Sequence, residues 1–135
     1  MRIANVEHQG RCKVVFSNGN GDWREALEPQ RKPSRSIQDL LDSGRLNEVC
    51  LLAEDAPACA GELRFRAPFA RPRQSIALAR NYTAHAQEST LPIPHEPIFF
   101  SKSNTSVVGP EEAVVLPPNL GRVEPEIELA IVIGR

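Results

Sequence analysis

The chain has 135 residues, and its 16 Lys and Arg residues almost balance its 17 Asp and Glu residues, so the formal net charge is −1. Proteins that bind nucleic acid or anionic membranes usually carry excess positive charge, and this balance argues against both partners. The run Leu129 to Ile133 is far too short to span a bilayer, and Met1 to Glu7 lacks the apolar stretch of a secretory signal. We therefore expect a soluble, cytoplasmic protein.

The cysteines indicate neither a disulfide framework nor a thiolate zinc site. Cys12, Cys50 and Cys59 form an odd set, and none of them belongs to a Cys-x-x-Cys pair. A free cysteine behaves as a small hydrophobic residue, and we expect that role for all three.

Proline and aspartate are distributed unevenly along the chain. Nine of the 12 prolines lie at or after Pro68, whereas all Asp residues lie at or before Asp55. Proline restricts regular structure, so this shift predicts a change of architecture near residues 66–72. We predict a small N-terminal α+β subdomain over residues 1–66 and a second domain over residues 67–135.

The first part of the chain carries one strand signal and one helix signal. Residues 12–16 are β-like and precede an Asn-Gly turn, which is typical of a hairpin. Residues 36–44 predict a short helix. Ser36 can cap its N-terminus, Asp39 lies three residues later at the position whose side chain can bond back to the cap residue, and Gly44 can end the helix.

The second part is predicted to be mostly β-structure. A brief helix capped by Asn81 or Thr83 is expected before a proline-rich loop at residues 91–97. Apolar and β-branched stretches predict four strands: Ser75–Ala79, Ile98–Ser101, Ala113–Leu116 and Ile127–Ile133.

The last predicted strand has alternating carboxylates. On a strand, Glu124, Glu126 and Glu128 would share one face, because successive side chains point to opposite sides. Neighbours about 7 Å apart would repel by roughly 2 kcal/mol at an effective dielectric constant of about 20. The face is either solvated or lines a cleft in which a divalent cation relieves the repulsion. Ala130 and Val132 continue the same face as apolar residues and favour the cleft, where oxygen ligands suit Mg²⁺, Mn²⁺ or Ca²⁺.

His85 and Glu88 are the second candidate pair. At a spacing of three they share one face of a helix, and a carboxylate beside an imidazole strengthens it as a base. A solvated surface pair is the alternative, and it is the more common case at this spacing. His8 and His95 have no comparable neighbours and receive no role.

Five short motifs, in order and spacing, resemble the fumarylacetoacetate hydrolase family: Ile76–Glu88, Pro97–Lys102, Val107–Pro110, Leu116–Pro117 and Glu126–Arg135. The resemblance covers residues 66–135 well, and the preceding part is similar to the small N-terminal subdomain of many bacterial members. It implies an α+β, mostly β fold, in which the small N-terminal subdomain is followed by an incomplete mixed β-sheet or β-roll catalytic domain.

The resemblance also implies a site and a chemistry. Glu126 and Glu128 would be two of three ligands of Mg²⁺ or Mn²⁺, with Ca²⁺ possible, and His85 with Glu88 would be the acid/base pair. Lys102 matches a lysine near the pocket, where it would either meet a substrate carboxylate or serve the structure. The implied substrate is a small keto acid, which is hydrolysed, decarboxylated or isomerised through a metal-stabilised enolate. The full-length form is expected to be a homodimer.

The sequence departs from the family pattern in one important respect. The third metal ligand of the family is a later Asp, and no Asp follows Asp55 in this chain. We therefore expect an incomplete site and an inactive isolated chain. Two alternatives stay open: an interaction module that needs a complementary chain, and an unrelated β-rich binding domain whose acidic strand is solvated.

Overall fold

A computed structural model describes residues 1–19, 21–27, 34–52, 55–84 and 92–134. The chain divides into two compact units, one formed by Met1–Phe69 with Val108–Arg135 and the other by Ala70–Val107. Within the described residues, no helix is long and apolar enough to cross a membrane.

The first unit is built on a four-stranded antiparallel sheet. Its strands are β1 (Arg2–His8), β2 (Arg11–Ser17), β3 (Arg24–Glu25) and β4 (Arg64–Phe65), in the order β3-β2-β1-β4. The predicted strand at residues 12–16 is therefore confirmed. Strand β1 was not predicted, and it pairs with β2 through a two-residue turn at Gln9 and Gly10. Both turn residues have positive φ, 52° and 70°, which a tight hairpin of this type requires.

Two short helices follow the third strand. Helix α1 (Ile37–Asp42) begins after Ser36, whose Oγ accepts a hydrogen bond from the Asp39 N–H at 3.1 Å, so the predicted cap is confirmed. Helix α2 (Leu46–Leu52) was not predicted. Its apolar residues Leu46, Val49 and Cys50 pack against the core, which indicates that tertiary burial stabilises this short helix.

The core of the first unit lies between the sheet and the two helices. Leu40 and Val49, from α1 and α2, are fully buried beside Val14 and Phe16 of β2. Phe69 and Ile3 are half-buried at its margin. Apolar burial of this kind is the dominant stabilising contribution in a domain of this size.

The second unit contains one antiparallel pair, β5 (Ser75–Ala79) and β6 (Ile98–Lys102). Both predicted strands are confirmed, and their register runs from Ser75 opposite Lys102 to Ala79 opposite Ile98. Residues 92–97 lack regular structure, as the prolines predict. The predominance of strands over short helices confirms the mostly β, α+β fold class.

Two predicted strands, Ala113–Leu116 and Ile127–Ile133, are not formed, and this expectation was wrong. No described residue after Lys102 belongs to a helix or strand. Ile127 and Leu129 are 99% and 80% exposed, and Ala130 and Val132, expected to enter a core, are also exposed. A strand exists only where a neighbouring backbone accepts and donates its hydrogen bonds, and no described segment supplies one here.

The core assignment predicts that two leucines differ in how much stability is lost when each is replaced by alanine. Leu40→Ala should lower the free energy of unfolding by about 2–5 kcal/mol, because it opens a cavity in a packed interior. Leu120→Ala removes the same atoms from a side chain that is 57% exposed, and should change stability by less than about 0.5 kcal/mol. Denaturant unfolding of the two variants measures the difference, and equal losses would contradict the assigned core.

The ion pair between Arg66 and Glu7 predicts a pH-dependent stability. The hydrogen bond and charge of Arg66, aided by the charge of Arg64, hold the pKa of Glu7 below its ordinary value of 4.5. This contribution is fully present above pH 4.5 and is lost as the pH falls through the lower folded pKa. The gap in Tm between the wild type and Glu7→Gln should therefore shrink on acidification. Glu62→Gln removes a carboxylate at an exposed position and is the control for the change in net charge.

Candidate functional site

The two predicted metal ligands, Glu126 and Glu128, lie on an exposed segment of the first unit. The segment forms no strand, so the expected alternation of a strand face is not present, and both residues are exposed rather than lining a cleft. The expectation of a cleft at this position was therefore wrong for the described residues. The role of the two glutamates as ligands stays a prediction.

Glu124, the third acidic residue of the series, is paired with an arginine. The Arg122 guanidinium forms an exposed ion pair with Glu124. This pair offsets part of the negative charge next to Glu126, although exposed ion pairs contribute little to stability.

The donor chemistry suits a divalent cation, but the described residues do not complete a site. Two carboxylates at alternate positions offer the oxygen ligands that Mg²⁺ and Mn²⁺ prefer. Within residues 1–84 and 92–134, apart from the undescribed gaps, no three His, Cys, Asp or Glu side chains converge on one position. A cation would need further ligands besides Glu126 and Glu128.

The predicted acid/base pair, His85 and Glu88, lies outside the described residues. Thr83 and Ala84 immediately before it are helical, in line with the helix predicted to begin near Asn81 or Thr83. His8, to which the sequence assigns no role, is buried in the first unit. Its Nε2 lies 2.9 Å from the Ala60 carbonyl oxygen, a contact that supports a structural function.

Lys102 ends strand β6 in the second unit. Its side chain is exposed, and its Nζ lies 5.9 Å from the centroid of the Phe100 ring, which shares its face of the strand. A cation over an aromatic face is a weak attraction at an exposed position. This contact is compatible with either predicted role, since an exposed ammonium can still reach a substrate carboxylate.

A charged cluster that the sequence analysis missed lies elsewhere in the first unit. Arg66 contacts Glu7 of β1, and its Nη1 lies 3.5 Å from Oε1 of Glu112. These residues are far apart in sequence, so no local pattern could bring them together.

Comparison with known proteins identifies the family. The family model described as fumarylacetoacetate (FAA) hydrolase C-terminal matches residues 74–135. A protein from Bos taurus named oxaloacetate tautomerase FAHD2A, mitochondrial, is 43% identical over 144 residues, which cover 100% of this chain and 45% of the relative. The chain belongs to the fumarylacetoacetate hydrolase family. The predicted family is thus confirmed.

Two further relatives of this fumarylacetoacetate hydrolase family chain extend the comparison. A 2,4-didehydro-3-deoxy-L-rhamnonate hydrolase from Sphingomonas sp. (strain SKA58) is 44% identical over 78 residues, or 58% of this chain and 27% of that protein. The crystal structure of a protein assigned as HpcE from Mycobacterium smegmatis matches with a TM-score of 0.60 and 29% identity, covering 84% of this chain and 40% of that one. The chain thus spans less than half the length of these relatives.

Proposed function

We propose that the chain supplies part of the active site of a metal-dependent enzyme that acts on a small keto acid. Glu126 and Glu128 would hold Mg²⁺ or Mn²⁺, with Ca²⁺ as a third candidate, and His85 and Glu88 would exchange protons with the substrate. The observation that carries this proposal is that all four residues fall within residues 74–135, which match the family model. A cytoplasmic location and a homodimeric full-length form stay predictions.

The substrate class is supported by the names of the relatives. The bovine relative is named for oxaloacetate, a 2-keto acid, and the Sphingomonas relative for a didehydro-deoxy sugar acid. Both names describe a carboxylate in a molecule that also carries a carbonyl group. An ammonium such as that of Lys102 suits the carboxylate of such a substrate, and an imidazole suits proton removal next to a carbonyl at neutral pH.

The proposed chemistry divides between the cation and the chain. A bound divalent cation would polarise the substrate carbonyl and stabilise an enolate. His85 would take up and return a proton, and Glu88 would orient its ring through the ring nitrogen that is not reacting. Whether the outcome is hydrolysis, decarboxylation or tautomerisation depends on which atom receives the proton or the water.

The exposed apolar residues favour a second candidate function, that of a module completed by a complementary chain. Ile127, Leu129, Ile131 and Ile133 are all largely exposed in the first unit, and such surfaces usually mark interaction sites. The chain also spans 45% of its bovine relative. In this alternative the same acidic residues contribute to a site that forms only in the complex.

Cation binding tests the proposed ligands. In the full-length protein, Glu126→Gln and Glu128→Gln should each weaken Mn²⁺ binding at least about tenfold, since even residues that only support a metal ligand cost 10- to 100-fold when replaced. Glu124→Gln is the matched control, because it removes the same charge two residues before Glu126 at a position that is not a proposed ligand, and it should leave the affinity nearly unchanged. Isothermal titration calorimetry measures all three. Equal effects at the three positions would indicate nonspecific attraction to an acidic segment.

Turnover of keto acids tests the acid/base pair. In the full-length protein, His85→Ala should lower kcat by about 10²- to 10⁴-fold with a smaller change in KM, because general acid/base catalysis acts in the transition state. His95→Ala, at an exposed position without an assigned role, is the control and should be neutral. Equal losses in kcat and in substrate affinity for His85→Ala would point to a packing role.

The same assay, combined with the oligomeric mass of the 135-residue chain, separates the two candidate functions. Turnover by the chain without a partner would refute the second candidate function, a module that needs a complementary chain. Inactivity together with persistent self-association would favour it over an autonomous enzyme.

A further inference from the structure

Residues 126–134 form an apolar run that begins directly after a proline. Its four large apolar side chains occupy alternate positions and are 99%, 80%, 77% and 86% exposed, in the order Ile127, Leu129, Ile131 and Ile133. No described residue of this run belongs to a helix or a strand. An exposed apolar series with the period of a strand is typical of a surface that pairs with another strand.

The remaining positions of the run carry its charge. Glu126 and Glu128 come first, and Ala130, Val132 and Gly134 follow at the same spacing. In a strand these five residues would share the face opposite the isoleucines. Like charges directly opposite each other destabilise a sheet. A suitable partner strand must therefore present neutral residues to the two glutamates.

A second copy of the same run meets this requirement when the two copies are antiparallel. Pairing centred on Ala130 places Glu128 opposite Val132 and Glu126 opposite Gly134. Each carboxylate then faces a neutral residue of the other copy. A parallel, in-register pairing would instead place each glutamate opposite its own counterpart. The distribution of charge therefore favours the antiparallel arrangement.

The large apolar residues favour the same register. With Ala130 at the centre, Ile127 lies opposite Ile133, and Leu129 lies opposite Ile131. All four large side chains of each copy then meet an apolar partner, and such cross-strand pairs stabilise a ladder. A shift of one residue would place them opposite the face that carries the carboxylates.

Pro125 lies immediately outside this ladder. Proline has no N–H to donate to a neighbouring strand, so a ladder that begins at residue 126 avoids the defect that proline would cause. The paired residues are symmetric about Ala130, as a two-fold interface between identical copies requires. We propose that residues 126–134 are an interaction surface for a second copy of this chain, with which they form an antiparallel ladder centred on Ala130.

The proposal names an occupant for the apolar surface of the second candidate function, but it does not depend on the metal-dependent chemistry. Neither a cation nor a keto acid takes part in the pairing. Association between copies can therefore be found when keto-acid turnover fails, and turnover can be found when association fails. A two-stranded ladder is only marginally stable, so the dimer should dissociate on dilution.

Disulfide cross-linking of the full chain tests the register. All variants carry Cys12→Ser, because Cys12 is an exposed thiol. Ala130→Cys should cross-link with its own counterpart, since opposite Cα atoms lie about 4.5–5.5 Å apart, within the reach of a disulfide. Ile127→Cys should cross-link with Ile133→Cys but not with itself, since its own counterpart lies about 20 Å away along the ladder. Ala113→Cys, at an exposed position outside the run, is the control for random collisions.

Sedimentation over a range of chain concentrations tests the association itself. The wild type should pass from monomer to dimer as the concentration rises. Ile131→Glu should raise the dimer Kd about tenfold, because it places a charge opposite Leu129 at two symmetric positions. Val115→Glu introduces the same charge at an aliphatic residue that is 84% exposed and lies outside the run, and it should match the wild type. Both substitutions are at exposed positions, so both variants should fold.

Three results would overturn the proposal. A wild type that stays monomeric at all concentrations, or equal dimerisation of Ile131→Glu and Val115→Glu, would refute pairing through this run. Cross-linking of Ala130→Cys no stronger than that of Ala113→Cys would refute the centre of the ladder. Cross-linking of Ile127→Cys with itself, as strong as with Ile133→Cys, would refute the antiparallel register.

Discussion

The side chain of Asn5 is the contact on which the first unit depends. Its amide nitrogen donates to the carbonyl oxygens of Ala67 and Pro68, each at 2.9 Å, and its Oδ1 accepts the Ile37 N–H at 2.9 Å. One residue of a central strand thus satisfies backbone groups at the start of α1 and along the connector, which no ladder of regular structure reaches. Sheet, helix and connector therefore share one polar junction.

The position of the Arg66 side chain depends on this junction. Because the connector is fixed beside β1, the guanidinium of Arg66 reaches Glu7 on the strand and Glu112 on the later segment. The later segment is thereby attached to a packed unit even though it forms no strand of its own. The turn at residues 109–112 lies close to the connector, whereas residues 127–133 pair with no described strand. These apolar residues are therefore largely exposed.

Membership of the fumarylacetoacetate hydrolase family gives these contacts a functional context. The family match covers residues 74–135, whereas the contacts of Arg66 join Glu112 of that region to Glu7 of β1 in the preceding part. The N-terminal sheet is consequently linked by side-chain contacts to the region that matches the family model. Glu7 of this sheet pairs with Arg66, and Arg66 in turn faces Glu112 within the matched region.

The sequence alone determined the family, the fold class, the cap of α1 at Ser36 and the strands β5 and β6, because motifs, caps and period-two alternation are local patterns. It did not determine whether residues 127–133 form a strand, since the same alternation gives a strand only when another backbone lies beside it. Only the tertiary structure brought Arg66 to both Glu7 and Glu112, because an ion pair between distant residues depends on how the intervening chain folds.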